Sequence, residues 1–198
     1  MDLSKDPWRQ KVILWLKENV SEHRLQHILG VEAVCIELAQ LHKLPINKAA
    51  KAGLLHDLAK FFPGKKLLKI ASKHQLEPDK ICLNYPHLLH ADISAILARE
   101  KFGIKDKKIL RAIANHTLGQ PDMDLLSCLV FVADAIEPSR GDSEDLSKIR
   151  IVSRKNLYQA VWKASDYGLG YLIRERKVIH PRTVLTRNWA LRKAKQQI

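Results

Sequence analysis

Apolar residues recur every three or four positions along nearly the whole chain, and alternation with a period of two is almost absent. That pattern restricts the chain to an all-α fold. Trp8, Val12, Trp15, Leu16 and Val20 form a first stripe, and Ser21 is placed to cap a second helix running to about His42. This second helix is apolar on two sides, with Leu25, Leu29 and Ile36 on one and Val31, Val34, Leu38 and Leu41 on the other. It is therefore expected to be central and buried. Asn47, after Pro45, is expected to cap a third helix through Lys60, ended by Phe61-Phe62-Pro63-Gly64. Further helices are expected at 65–77, from Pro86 to Phe102-Gly103, from Asp106 to a stop at Gly119, and at 122–137 before Pro138. PSRGDSEDLS reads as a polar loop. A long helix then carries Leu157, Val161, Ala164 and Leu172, with a bend at Gly168 and Gly170 and a break at Pro181. A last one runs from about Thr183. The helices are too many and too unequal for an up-down four-helix bundle. One domain is expected, with an N-terminal helix at 1–20, a core at 21–140 and basic helices at 141–198 packed on it.

Several classes of protein are excluded early. The chain has 198 residues, 46% of them hydrophobic, which suits one well-packed soluble domain. Its longest apolar run, LLSCLVFVADAI at 125–136, is too short to span a bilayer and is interrupted by Asp134. The N-terminus lacks the basic-then-apolar layout of a secretion signal, so a cytoplasmic location is expected. Cys35, Cys82 and Cys128 are far apart and form no CxxC pair, against a disulfide framework or a thiolate zinc knuckle. There is no Gly-rich phosphate loop and no GxSxG, and no cysteine stands out as a nucleophile, so a covalent route has no candidate. The net charge of +13 is concentrated, because Lys148–Ile198 holds 13 Lys and Arg against two acids. Such a segment attracts phosphates, whether of nucleic acid, an anionic membrane or a polyphosphorylated small molecule.

A few polar residues break the apolar pattern. His27 heads the stripe Val31-Val34-Leu38-Leu41, and His56 and Asp57 lie inside AAKAGLLHDLA. His116 continues the stripe of Ile109 and Ile113, and Asp134 closes the run CLVFVA. Taking an ionised carboxylate out of water is costly unless a strong partner meets it. An arginine would answer for Asp57 or Asp134 singly. A cation bound by nitrogen and oxygen ligands would answer for both carboxylates and the inward histidines together. Neighbouring helix positions differ by about 100°, so His56 and Asp57 are able to straddle one ion. His23, His42 and His74 read as surface or cap residues, and His87 lies near a helix start.

The order His27, His56-Asp57, Asp134 resembles the HD-domain superfamily of metal-dependent phosphohydrolases. GLLHDLAK, LLHADISA, ANHTLG, FVADAIEPSR and TVLTRN, taken in order, are similar to the YqeK family of bacterial symmetrical bis(5'-nucleosyl)-tetraphosphatases. The resemblance covers roughly residues 21–190. It implies a single HD-type helical fold with a central metal site, 21–140 being the metal-binding core. It implies that His27, His56, Asp57 and Asp134 hold a divalent ion, iron by resemblance, with manganese or zinc also suited to these donors. His90 and His116 match two further family histidines, which touch phosphate or bind a second ion bridged by Asp57. Lys60, Thr117 and Arg140 match phosphate contacts, with His27 and Asp134 beside them, and His180 and Asn188 match nucleotide contacts. Asp57, Lys60, His90 and His116 would then be the catalytic set. The implied reaction is attack of metal-bound water on an inner phosphorus of diadenosine tetraphosphate, giving two ADP. A homodimer is also implied. The alternatives are another HD phosphohydrolase acting on nucleoside mono- or triphosphates or an alarmone, and a basic RNA-binding or regulatory helical protein. For the latter, Tyr158, Trp162, Tyr167, Tyr171 and Trp189 are spaced for core packing rather than base stacking, so nucleic acid is not the favoured partner.

Overall fold

A computed structural model describes residues 6–196. Among them there is no β-strand. The helices are α1 (Pro7–Asn19), α2 (Glu22–Leu41), α3 (Ile46–Leu55), α4 (Gly64–Lys73), α5 (Lys80–Asn84), α6 (His90–Phe102), α7 (Lys107–Asn115), α8 (Leu125–Ile136), α9 (Glu144–Ser153), α10 (Leu157–Arg174) and α11 (Pro181–Lys195). Short 3₁₀ turns at Pro86–Leu89 and Pro138–Arg140 lead into α6 and out of α8. Most helix starts are set by a side-chain oxygen that accepts from a first-turn N–H. Asp6, Ser21, Asp79, Asp106, Asp124, Ser143 and Asn156 all do this. Among the described residues no helix is long and apolar enough to cross a membrane.

Beyond shifts of a few residues at other helix ends, and a 3₁₀ turn at Pro86–Leu89 where α6 was expected to begin, the elements differ from expectation at four places, each with a local cause. Helix α3 starts at Pro45 without a side-chain cap, Asn47 lying in its first turn, and it ends at Leu55. Beyond it the chain tightens into turns closed by Lys60 N–H to Asp57 O and Phe62 N–H to Ala59 O. The HDLAK stretch is thus a coil of turns rather than more α-helix. Second, α5 has only five residues, too few for periodicity to reveal, and depends on the Asp79 cap. Third, the polar loop is shorter than PSRGDSEDLS, because Ser143 caps α9 and Glu144 and Asp145 occupy its first turn. Fourth, Pro181 opens α11 rather than ending a helix, since its missing N–H costs nothing at that position.

Helix α2 lies at the centre, packed on α3 along one side and α8 along another. Helix α7 touches α3, α6 and α8, while α10 covers α8 and α9 and pairs with α11. Ile28, Val31 and Cys35 of α2 meet Leu54, Leu55, Ile113, Leu129 and Val161 in the main core. A smaller cluster of Ala59, Leu67, Cys82, Leu89 and Ile93 closes α4, α5 and α6 over the HDLAK turns. Gly53 lets α3 come close to α2. A Cβ there would lie 2.9 Å from Cys35 Sγ and 3.0 Å from the Glu32 Cα. That contact brings His56, three residues on, to the His27 face of α2.

Candidate metal centre

His27, His56 and Asp57 are almost fully buried, and Asp134 reaches them from the last turn of α8. His27 Nε2 lies 3.3 Å from His56 Nε2 and 3.2 Å from Asp134 Oδ1. Asp57 Oδ2 lies 3.8 Å from His27 Nε2 and 3.7 Å from His56 Nε2, and His56 Nε2 lies 3.9 Å from Asp134 Oδ1. Ligand bonds of about 2.1 Å place neighbouring donors roughly 3–3.5 Å apart, so His27, His56 and Asp134, whose donor atoms lie within 4.8 Å of one another, fit one ion, and Asp57 Oδ2 faces the same two imidazoles.

The other Asp57 oxygen faces a second histidine pair. Oδ1 lies 3.3 Å from His90 Nε2 and 3.4 Å from His116 Nε2, and those two nitrogens are 3.1 Å apart. Thr117 Oγ1 is within 3.0 Å of both rings, and the exposed Lys60 places Nζ 3.4 Å from His90 Nε2. Lys60, expected one helical turn from His56, reaches the site from the turns instead.

The tautomers follow from the outer bonds. Nδ1 of His56, His90 and His116 each donates to the carbonyl three residues earlier, on Gly53, His87 and Ile113, at 2.6–2.8 Å. His27 Nδ1 donates to Glu137 Oε1 at 2.9 Å. A carbonyl only accepts, so each Nδ1 bears the hydrogen and each neutral ring presents an Nε2 lone pair inward. Four lone pairs and two carboxylates therefore converge, and facing acceptors at this range repel unless a cation or a proton lies between them.

Electrostatics sharpens this. Burial pushes His56 down to about 4 and also lowers His90, keeping both rings neutral. Burial pulls His27 the same way, but Asp134 and Glu137 outweigh it and raise its pKa above 6.5. Burial opposes ionisation of Asp57 and Asp134. Even so, His56, His116 and His90 hold Asp57, and His27, His56 and Arg140 hold Asp134, well below the usual carboxylate range.

Three residues not foreseen from the sequence complete the shell. Arg24 Nη1 donates to Asp57 Oδ2 at 2.8 Å from one turn before His27. Glu137 is 1% exposed and also accepts from Ser139 N–H and Oγ–H. Gly30, one turn after His27, leaves the room for it, since a Cβ there would lie 2.7 Å from Glu137 Oε2. Arg140 was expected at phosphate. Its Nη2 is on Asp134 Oδ1 at 2.5 Å and its Nε on the Asp134 carbonyl at 2.8 Å.

His180 and Asn188 stand apart from this cluster. His180 caps α11 through Nδ1 and donates from Nε2 to Asp79 Oδ2 at 2.6 Å. Asn188 is exposed on α11 and accepts from Arg187. His180 lines a cavity of about 460 Å³ with Tyr85, His87, Leu118, Leu172 and Val178. Its wall includes His87, three residues before His90, and Leu118, two after His116, so it adjoins the second histidine pair.

A family model described as the HD domain matches residues 24–139. A symmetrical bis(5'-nucleosyl)-tetraphosphatase of Bacillus subtilis (strain 168) is 33% identical over 181 residues, 91% of this chain and 96% of that one. A protein of the same name from Halalkalibacterium halodurans is 34% identical over 183 residues, 92% of this chain and 97% of its own. Among solved structures, a Clostridium acetobutylicum protein described as a "predicted HD superfamily hydrolase involved in NAD metabolism" superposes with a TM-score of 0.88 at 32% identity. The superposition covers 93% of this chain and 97% of that one.

Proposed function

The chain belongs to the HD-domain family, and from that premise we propose that it hydrolyses diadenosine tetraphosphate symmetrically to two ADP, with a divalent ion held by His27, His56, Asp57 and Asp134. The observation that carries this reading is the convergence of those four side chains from three separate segments, with the two imidazoles 3.3 Å apart and each carboxylate within 3.2–3.9 Å of both. Imidazole with carboxylate suits iron, and we take iron as the resident metal, with manganese or zinc able to use the same donors. A bound divalent ion supplies Lewis acidity toward a phosphoryl oxygen and lowers the pKa of water toward neutrality.

The chain's own residues do the rest. Lys60 and Thr117 lie over the His90–His116 pair, where they donate to phosphate oxygens and offset the charge that builds on them. Arg140, whose Nε and Nη2 are on Asp134, has Nη1 left for a phosphate oxygen on that side, and Arg140, His27 and Asp134 border the phosphates there. A water oxygen forms the new bond to an inner phosphorus. The bond from that phosphorus to the central bridging oxygen breaks, and the bridging oxygen leaves with the electron pair and takes a proton. His90, held neutral by burial, is suited to accept the proton that the water gives up, and that same proton, passed on directly or through His116 Nε2 at 3.1 Å, is the one the leaving oxygen takes. The cavity beside them takes one nucleoside, with His180 and the 178–183 segment along its wall and Asn188 further along α11.

Metal analysis of purified protein, with a nucleotide panel assayed on the same sample, tests the reading. One ion per chain and two equal nucleoside diphosphates from the tetraphosphate are expected. Release of triphosphate or inorganic phosphate would point to another phosphohydrolase. Two ions per chain would move His90 and His116 from phosphate to a second ion, with Asp57 as the bridge. Asp57→Ala is expected to lose both metal and turnover.

A further inference from the structure

Arg24 has no role in the chemistry above, yet its guanidinium lies on a ligand oxygen of the centre. Nη1 bonds Asp57 Oδ2, the oxygen that faces His27 and His56, not the one that faces His90 and His116. Among the described residues the rest of its fork has no partner, and the side chain is 28% exposed, so it sits at the mouth of the site. Arg140, the other arginine here, is held by both the carboxylate and the carbonyl of Asp134. Arg24 is thus the cation with donors to spare on the Oδ2 side, and Lys60 is the cation on the Oδ1 side.

A symmetrical cut requires two diphosphates to be held, one on each side of the reacting phosphorus. The 460 Å³ cavity adjoins His90 and His116, so a nucleoside lying in it directs its own diphosphate over Lys60 and Thr117. The other half continues from the central bridging oxygen, past the reacting phosphorus and out of the cavity. We propose that Arg24 binds the diphosphate of that departing half, opposite Lys60. The inference rests on the reading of this site as a tetraphosphate hydrolase. A guanidinium suits the task because its fork meets two phosphate oxygens at once and stays charged at any working pH.

The test uses Arg24→Met and Arg24→Lys in the full chain loaded with Mn²⁺, checked by thermal melting. Calorimetry measures three affinities: for Mn²⁺, for ADP, and for a diadenosine tetraphosphate whose central bridging oxygen is replaced by methylene. Arg24→Met is expected to weaken the analogue by about 10- to 100-fold, the range of a lost charge-assisted contact. ADP, which fills only the cavity side, and Mn²⁺ are expected to stay within roughly threefold of wild type. Arg24→Lys recovers part of the loss, because a point charge replaces a fork. An ADP affinity that falls in step, an Mn²⁺ affinity that falls about tenfold, or an unchanged analogue affinity would each overturn the proposal, the second by making Arg24 a positioning residue for Asp57. Wild-type protein that binds the analogue no tighter than ADP and releases no ADP from the tetraphosphate refutes the hydrolase reading itself, whatever the variants do.

Discussion

Glu137→Gln changes almost no volume, yet the structure gives it no satisfactory arrangement. Both carboxylate oxygens of Glu137 are acceptors: Oε1 for His27 Nδ1 and the Ser139 hydroxyl, Oε2 for the Ser139 N–H at 2.8 Å. A glutamine with its carbonyl toward His27 turns its NH₂ against the Ser139 N–H, donor against donor. Flipped, it turns the NH₂ on His27 Nδ1, which must then give up its hydrogen. The hydrogen moves to Nε2, where it points at His56 Nε2 and Asp134 Oδ1, the place of the ion. The first arrangement leaves a buried donor unpaired, at about 1–3 kcal/mol. The second destroys a ligand lone pair. Loss of such an outer partner typically lowers metal affinity about 10- to 100-fold. Competition with a chelating dye measures the affinity, and thermal melting of the metal-free variant measures the stability. Wild-type values in both assays would refute the tautomer argument, and with it the claim that Glu137 fixes His27.

Three other outcomes are expected. Gly30→Ala puts a methyl 2.7 Å from Glu137 Oε2; it should lower metal affinity in the direction of Glu137→Gln and cost about 1–3 kcal/mol of stability through overpacking, whereas a wild-type metal titration would mean that Glu137 shifts at no cost. Lys60→Ala should raise KM about tenfold with metal content unchanged, and loss of metal on analysis would make the lysine structural. The third concerns pH. In the metal-free protein His27 has a raised pKa, so the stability its proton contributes is complete below about 6.5 and is lost as pH rises through the raised value. An ion needs that ring neutral, so metal affinity should climb over the same interval and then level off; equal affinities at about pH 6 and about pH 8.5 would rule out His27 as a ligand.

The four proposed ion ligands were legible because each breaks an apolar run, a signal that survives without structure. Arg24 and Glu137 carry no such signal. Arg24 lies in SEHR, a polar helix start where one more arginine is unremarkable. Glu137 precedes Pro138 and reads as the solvated end of α8, although it is 1% exposed. Helix ends hid a second feature. His56 and His116 are the C-caps of α3 and α7, and His90 is the first residue of α6. Each of the three bonds its Nδ1 to the carbonyl three residues back, a device that periodicity arguments pass over because they treat helix ends as boundaries. The same bias extended α3 through HDLAK. There an apolar spacing of three and four persists, while the backbone has already tightened into turns that aim Asp57 inward and set the exposed Lys60 beside His90.

The fixed charges around the centre explain how it tolerates both loaded and unloaded states. Asp57, Asp134 and Glu137 are held ionised, and Arg24, Arg140 and Lys60 surround them with as many positive charges. Arginines on the two ligand aspartates answer the desolvation cost that the sequence raised, so those carboxylates stay ionised before any ion arrives. A divalent ion arriving in that balanced set leaves an excess of positive charge beside four imidazoles, in surroundings of low dielectric where it acts strongly. An anion of high charge density is what such an excess selects. The +11 carried by residues 148–198 adds a longer-ranged attraction of the same sign, weakened where Lys148, Arg150 and Arg154 are already paired with Glu144, Asp142 and Glu37 outside that segment. The proposed polyphosphate preference would therefore arise mainly from the loaded centre, and raising the salt should weaken capture of substrate more than it weakens the ion's hold on its buried ligands.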